Sequence, residues 1–348
     1  MKKTTYQWAV IGAGPAGIAA VGKLIDRGVP PALILWIDPH FKVGDLGGLW
    51  SNVSSNTTVR LFNAFLHEVK SFQYHDVAAQ FSLTDLPDES TCVLNDIVKP
   101  LQWVSDTLRQ HVSSVTAIIK DMNLKQRLWY LASETQIYVA HNVILATGAV
   151  PSALSHPGLD VIPFDVAIDK ERLGKSIGYH QTIGVFGSSH SAIIILRYLV
   201  ELGVKRIINF YRSPLKYAIQ MDDWILFDNT GLKGETAAWA REHIDGCLPK
   251  NLERYHSSEQ HLTRYLPECE RVIYAVGFEP RNTLIIGDYE HTSYNPHVGI
   301  IGPGLFGLGI GYPEMKADRF GTVESQVGLW KFMMYLNNVL PLWFKYPA

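Results

Sequence analysis

The stretch VIGAGPAG at positions 10–17 decides how the rest of the chain is read. It follows the apolar run YQWA and leads into IAAVGKLIDRG, which reads as strand, tight turn and helix. Gly12, Gly14 and Gly17 keep a G-x-G-x-x-G spacing. The first permits a sharp turn, the second lets a pyrophosphate approach the backbone, and the third lets helix pack closely on strand. An anion then sits at the helix N-terminus, where free N–H groups and the helix dipole favour negative charge. The next apolar run, ALILWIDP, ends in Asp38, placed to bind ribose hydroxyls. A glycine turn alone is a weak signal. With a strand before it, a helix after it and an acid at the next strand's end, it specifies a dinucleotide site.

Downstream, GDLGGLW brings Gly47, Gly48, Leu49 and Trp50 close behind the acidic strand, and VILATGAVPS supplies another apolar strand ending in Ala146, Thr147 and Gly148. Together, G-x-G-x-x-G, the acidic strand end, GG-x-W and A-T-G resemble the FAD half of the two-dinucleotide flavoproteins. Within that group, GG-x-W resembles the flavin-containing monooxygenases and their Baeyer–Villiger relatives. Thioredoxin reductases share the other signals but carry a C-x-x-C, which this sequence lacks. The likeness covers nearly the whole chain. It implies an α/β fold of two Rossmann-like dinucleotide-binding domains, the NADPH domain inserted into the FAD domain. It further implies that Gly12, Gly14, Pro15, Ala16, Gly17 and Asp38 hold the FAD diphosphate and ribose. Gly47, Gly48, Leu49, Trp50, Ala146, Thr147 and Gly148 would lie beside the cofactor, and Val115 in SVTAIIKD would meet the adenine through its backbone. Read by itself, Val115 is a core strand residue.

GVFGSSHSA at 184–192 repeats the strand, turn and helix, with the register falling on Gly187, Ser189 and Ala192. Ser189 is small and its hydroxyl can donate to a phosphate; Ser188, His190 and Ser191 complete a turn near the phosphates, with no catalytic role for His190. The next strand, RIINFYRSP, ends in Tyr211-Arg212 instead of an acid. Arginine suits a ribose 2′-phosphate, which an acid would repel, so the second turn reads as a site that prefers NADPH over NADH. A solvated loop charge is the alternative for Arg212. Two turns imply two cofactors, a flavin and a nicotinamide that delivers hydride to it.

The chemistry implied by the resemblance is reduction of FAD by NADPH, addition of oxygen at the flavin C4a, and oxygenation of a small soft nucleophile or ketone by the resulting hydroperoxide. In the relatives an Asn after GG-x-W donates near the flavin. Asn56 in SNTTVRLFNAF takes that place, with Asn63 in reserve; both also read as ordinary loop residues. One stretch departs from the pattern. VIPFDVAIDKERLGKS, before the second turn, has no F-x-G-x-x-x-H-type motif. The alternative is therefore an NADPH-dependent flavin reductase that passes electrons to ferredoxin, a quinone or another acceptor. A non-catalytic nucleotide-binding protein is a third reading, against which the intact first turn speaks.

At 348 residues, with 47% apolar content and a formal net charge of −2, the chain has room for two domains and gives no argument for nucleic acid. The expected limits are 1–150 for the first part of the FAD domain, 151–279 for the NADPH domain and 280–348 for the second FAD part with its C-terminal helix. AVPSALSHPGLD is a linker. RVIYAVGFEPR echoes A-T-G in Ala275-Val276-Gly277, which puts Gly277 at the NADPH site. MDDWILFDNTGLKGETAAWAREHI reads as a helical excursion within 218–245. The loop GIIGPGLFGLGIGYPE lacks the G-D of reductase-type relatives. After it, Val323, Val327, Trp330 and Met334 have helical spacing, and a helix start at 321–326 would bring Gln326 to the flavin, with core packing as its other reading.

Cys92, Cys247 and Cys269 are far apart, so no redox disulfide and a reduced, cytoplasmic setting are expected. The thirteen histidines form no ligand cluster, which implies no metal. Lys2 and Lys3 before an apolar run imitate a leader, but glycines and a proline interrupt the run and no cleavage-like site follows. The acceptor-like triplets at Asn52 and Asn56 then carry no meaning. The tail KFMMYLNNVLPLWFKYPA, interrupted by Asn337, Asn338 and Pro341, is too short to span a bilayer. It reads as a core or interface helix, which leaves room for a homodimer. The expected partners are a small-molecule substrate and oxygen, with neither nucleic acid nor membrane.

Overall fold

Trp8 to Ile11 are the buried end of the strand Thr5–Ile11, and the first sheet of the computed structural model is built outward from it. The structure describes residues 4–281, 284–287 and 293–348; Lys2 and Lys3, the basic start of the leader-like run, lie outside them. The chain divides into two compact units. One comprises residues up to Ala149 together with Pro280–Ala348, and the other is Val150–Glu279.

In the first unit the parallel strands Ser113–Thr116, Ile34–Asp38, Thr5–Ile11, Ile137–Leu145 and Leu305–Gly307 lie side by side in that order. Ile11 pairs with both Ile37 and Leu145, so the carboxyl ends of three strands are level. All five residues of Ile34–Asp38 are buried, as expected for a parallel strand covered on both faces. On one face Trp8, Val10 and Trp36 pack with Ile18 and Leu24 of the helix Pro15–Asp26, Leu101 and Leu108 of Asn95–Arg109, and Leu336 of Leu329–Trp343. The alternate residues Ala9, Ile11, Leu35 and Ile37 pack on the other face with Trp129 and Leu131. The antiparallel strands Asp121–Lys125 and Leu128–Ala132 extend the sheet beyond Ile137–Leu145.

The second unit is an all-parallel sheet in the order Asp160–Val161, Arg271–Tyr274, Thr182–Phe186, Arg206–Tyr211 and Leu252–His256. The helix His190–Glu201 makes the crossover between its third and fourth strands. The fold is therefore α/β, with a mixed sheet built on parallel central strands in the first unit and an all-parallel sheet in the second.

Two element readings are corrected. The excursion is helical only in its second half, an α-helix at Gly234–Ala240 that continues as a π-helix at Arg241–Gly246; before it, Ile219–Gln220 and Ile225–Leu226 form a small hairpin. Near the C-terminus, Val323–Gln326 is a strand paired antiparallel with Glu314–Ala317. Its turn is made by Asp318, whose Oδ1 accepts from the Phe320 and Thr322 N–H groups, and by Gly321 at φ +83°. The helix begins only at Leu329, after Gly328 at φ +141°. Val323, Val327 and Met334 are consequently exposed, and the core face is Leu329, Phe332, Met333, Leu336, Val339 and Leu340. Among the described residues no helix is long and apolar enough to cross a membrane.

Candidate functional site

The first glycine turn lies where the three level strand ends meet. Gly12 has φ +112°, donates its N–H to the Ile37 carbonyl at 2.8 Å, and would place an added Cβ 2.1 Å from the Ala146 carbonyl oxygen. Gly17 is as tightly held: a Cβ there would lie 1.9 Å from the Gly12 carbonyl oxygen. Gly14 differs. It is the N-cap of Pro15–Asp26 with φ −74°, and an added Cβ would meet only Gly44 Cα, at 3.9 Å. Two of the glycines thus close the turn, and the third leaves its approach open above the unbonded N–H groups of the helix's first turn. Gly48 and Gly148 are open in the same sense, with nothing within 4 Å of an added Cβ, whereas Gly47 is packed 2.3 Å from the Lys42 carbonyl. These open backbones and helix donors fit a dinucleotide.

Asp38 is buried, and its carboxylate is already engaged. Oδ2 accepts from the Ala13 N–H at 2.7 Å, and Oδ1 accepts from His40 and Phe41 N–H at 2.8 and 2.7 Å. Hydrogen bonds to a charged group contribute about 1.5–3 kcal/mol each, so three of them hold the carboxylate on the turn. A ribose hydroxyl is left to donate to the remaining lone pairs of those oxygens. The residues that follow Asp38 line a cavity of about 510 Å³ with His40, Lys42, Lys99, Gln102 and Arg109 on its walls. The Arg109 guanidinium stacks 4.2 Å above Phe41.

The glycine-dense loop after Leu305–Gly307 folds over the A-T-G turn. Leu308 N–H donates to the Leu145 carbonyl at 2.9 Å, and a Cβ on Gly309 or Gly311 would stand 2.7 Å from Ala16 Cβ or 2.3 Å from the Gly148 carbonyl. Tyr312, buried beneath this loop, is hydrogen-bonded to Thr147, and burial pushes its hydroxyl up to about 12. Arg281 reaches the same region. Its N–H donates to the Gly148 carbonyl, and its Nη2 lies 2.6 Å from the Asp45 carboxylate in the short helix Gly44–Gly48. Tyr312 and Arg281 escaped the sequence reading because only the returning C-terminal segment brings them to the turn, and Asp45 because its partner Arg281 is 236 positions away.

The remaining predicted residues separate. Val115 pairs with Ile37 and is half-buried, one residue from the strand end at Asp38. Leu49 is exposed, and Trp50 is half-buried just after the helix Gly44–Gly48. Asn56 is exposed on the strand Ser54–Thr58, with its Oδ1 near the Thr57 hydroxyl at 3.4 Å. Asn63, on the helix Val59–His67, has a buried Oδ1 with no hydrogen-bond partner among the described residues. Gln326 sits in the hairpin and starts no helix, which removes the reason for assigning it to the flavin.

The second turn repeats the first. Gly187 has φ +125°, donates to the Phe210 carbonyl at 2.9 Å, and would bring a Cβ within 2.2 Å of the Ala275 carbonyl oxygen. Ala275, Val276 and Gly277 therefore correspond to Ala146, Thr147 and Gly148, and Gly277 has the same open back. Ser189, the N-cap of His190–Glu201, corresponds to Gly14, and Ala192 to Gly17. This register makes one correction. Phe210 corresponds to Ile37, so Tyr211 occupies the place of Asp38 and Arg212 comes one residue later. Arg212 is exposed, and its side chain makes no hydrogen bond or ion pair among the described residues. The Ser188 hydroxyl donates to the Ser213 carbonyl at 2.9 Å, and among the described residues no carboxylate accepts the Ser188 N–H as Asp38 accepts that of Ala13. His190 is held neutral. Burial first, and then the Lys233 charge, lower its imidazole to about 4, and neither ring nitrogen has a hydrogen-bond partner among the described residues.

Residues 6–295 match the model of the pyridine nucleotide-disulphide oxidoreductase family. The chain is 34% identical over 380 aligned residues to the monooxygenase AgnR1 of Paecilomyces divaricatus, covering 96% of this chain and 97% of that one. Among solved structures it is similar to the ornithine N-hydroxylase of Kutzneria sp. 744 (TM-score 0.67, 12% identity, 98% and 99% of the two chains). It is also similar to a flavin-containing monooxygenase of Stenotrophomonas maltophilia (0.62, 13%, 98% and 99%) and to the thioredoxin reductase of Lactococcus lactis (0.61, 12%, 98% and 99%). These structures share the fold. With the glycine turn built twice and a family match across most of its length, the chain belongs to the pyridine nucleotide-disulphide oxidoreductases and is an FAD-dependent oxidoreductase.

Proposed function

We propose that the protein is an NADPH-using flavin monooxygenase that oxygenates a small soft nucleophile or ketone. The observation that carries the reading is its likeness, along 96% of the chain, to a protein named as a monooxygenase. Cysteine chemistry supports it. Cys92 and Cys269 are buried in different units, and burial first pushes their thiols up to about 11 and 12, leaving Cys247 exposed without a C-x-x-C partner. A disulfide reductase needs a reactive pair.

The first unit holds FAD. The N–H groups at the start of Pro15–Asp26 meet the diphosphate over Gly14, and Asp38 accepts from ribose. The open backbones of Gly48 and Gly148, braced by Tyr312 on Thr147, let the rest of the cofactor approach. When bound, the flavin supplies two-electron reduction and reaction with oxygen. The second unit presents Ser189, His190 and Ser191 N–H groups to the nicotinamide nucleotide's diphosphate, and Arg212 faces its 2′-phosphate. In the balanced reaction NADPH, a proton, oxygen and substrate yield NADP⁺, water and the oxygenated product. The missing pre-turn motif keeps a second reading in play, a flavin reductase serving ferredoxin or a quinone.

FAD-loaded protein supplied with NADPH, a small aryl sulfide and ¹⁸O₂ is expected to give a sulfoxide carrying one heavy oxygen, with the other in water. Recovery of all consumed oxygen as hydrogen peroxide, together with rapid reduction of a quinone, would establish the reductase instead.

A further inference from the structure

Beneath the second turn lies a side-chain relay that the first turn lacks. In the first unit Trp36 donates its indole N–H to the Gly12 carbonyl at 2.9 Å. At the corresponding position Asn209, fully buried, donates Nδ2 to the Val185 and Gly187 carbonyls, both at 2.9 Å. Its Oδ1 accepts from Arg254 Nε at 2.8 Å. Arg254 pairs opposite Asn209 on the neighbouring strand, and its guanidinium stands 4.7 Å over the ring of Tyr211, the residue that replaces Asp38. Arg254 Nη2 is buried without a hydrogen-bond partner, and among the described residues no carboxylate lies within ion-pair distance. The acid that attracts it, Asp245, accepts a hydrogen bond from the Tyr217 hydroxyl at 2.5 Å, and Arg241 stacks on that same ring at 4.3 Å.

Burial opposes charge on this guanidinium, yet an arginine in a protein stays protonated. The folded unit therefore contains a half-buried cation with no ion-pair partner among the described residues. That arrangement is costly alone and is relieved by an anion bound nearby. The strand end that carries a carboxylate in the first unit carries, in the second, an aromatic ring with a cation against it. We infer, on the reading that the second turn takes the nicotinamide nucleotide, that Arg254 is a specificity-determining residue of that site. Its half-buried charge favours the nucleotide whose ribose bears an extra phosphate. It acts as a positioning residue, through Tyr211 and through Asn209 on the Gly187 turn. Half-buried, with Nη2 shielded from solvent, it is screened by salt less than the exposed Arg212.

Dissociation constants of NADP⁺ and NAD⁺ for the FAD-loaded full chain test this, read by fluorescence quenching at low and high salt. R254M is expected to weaken NADP⁺ about tenfold more than NAD⁺, with much of that difference persisting at high salt. R254Q, which keeps an N–H for Asn209, is a second neutral variant with the same expected differential. R254K keeps the charge and is expected to hold the NADP⁺/NAD⁺ ratio within about threefold of the parent. Equal weakening of both nucleotides in R254M and R254Q would make Arg254 a purely structural residue, and so would a ratio lost as fully in R254K. A parent protein that binds neither nucleotide would overturn the reading of the second turn itself.

Discussion

At the scale of single residues, the glycines of the first turn have separable duties. Gly12 and Gly17 are enforced by backbone carbonyls about 2 Å from where a methyl group would go, with or without a ligand. Gly14 adopts a φ open to any residue and faces only Gly44 Cα at 3.9 Å. Gly17→Ala is therefore expected to cost the first unit more than about 3 kcal/mol. Gly14→Val should cost the apo protein no more than about 1 kcal/mol while abolishing FAD retention. Thermal melts with and without FAD separate the two; a Gly14→Val protein that keeps its flavin would contradict the account. Spacing made these glycines legible, because the turn is local. The engagement of Asp38 was not legible, since its partners Ala13, His40 and Phe41 are defined by how the turn and the strand end meet. Arg254 was invisible for the same reason: NLERYHSSE carries no motif, and its partner Asn209 is 45 positions away.

At the scale of elements, periodicity located the strands and crossover helices around both turns but failed at the C-terminus. The apolar series Val323, Val327, Trp330 and Met334 fits a helix on paper. The hairpin between Glu314–Ala317 and Val323–Gln326, with its Asp318 and Gly321 turn, takes the first part of that stretch instead. The helix that follows has its core face one step away, at Phe332, Met333 and Leu336, so its neighbours Met333 and Met334 have opposite fates. Met333→Ala is expected to lower stability by about 2–5 kcal/mol, and Met334→Ala by less than about 0.5 kcal/mol. Urea unfolding of the two variants checks this; equal effects would mean that the face is wrongly placed. A pairing with a strand nine residues upstream competes with helix formation over 323–326, and apolar spacing alone does not report the winner.

At the scale of the whole molecule, one strand–turn–helix design is built twice with opposite charge at the corresponding strand end. Gly12, Ala146 and Asp38 in one unit answer to Gly187, Ala275 and Tyr211 in the other, and the second has cationic Arg254 against Tyr211. The duplication was legible in two short glycine-containing stretches. The reversal of charge was only half legible, through Arg212, because strand register assigns the acid's place to Tyr211. The central claim is that the two turns serve different nucleotides in one reaction, a flavin in the first and NADPH in the second. Its most direct test is an anaerobic titration of the FAD-reconstituted protein with NADPH, followed at the visible flavin band. The account predicts about one FAD per chain and complete bleaching by about one equivalent of NADPH, as two-electron transfer requires. A colourless protein that takes up no FAD, or a bound flavin that NADPH leaves oxidised, would contradict it.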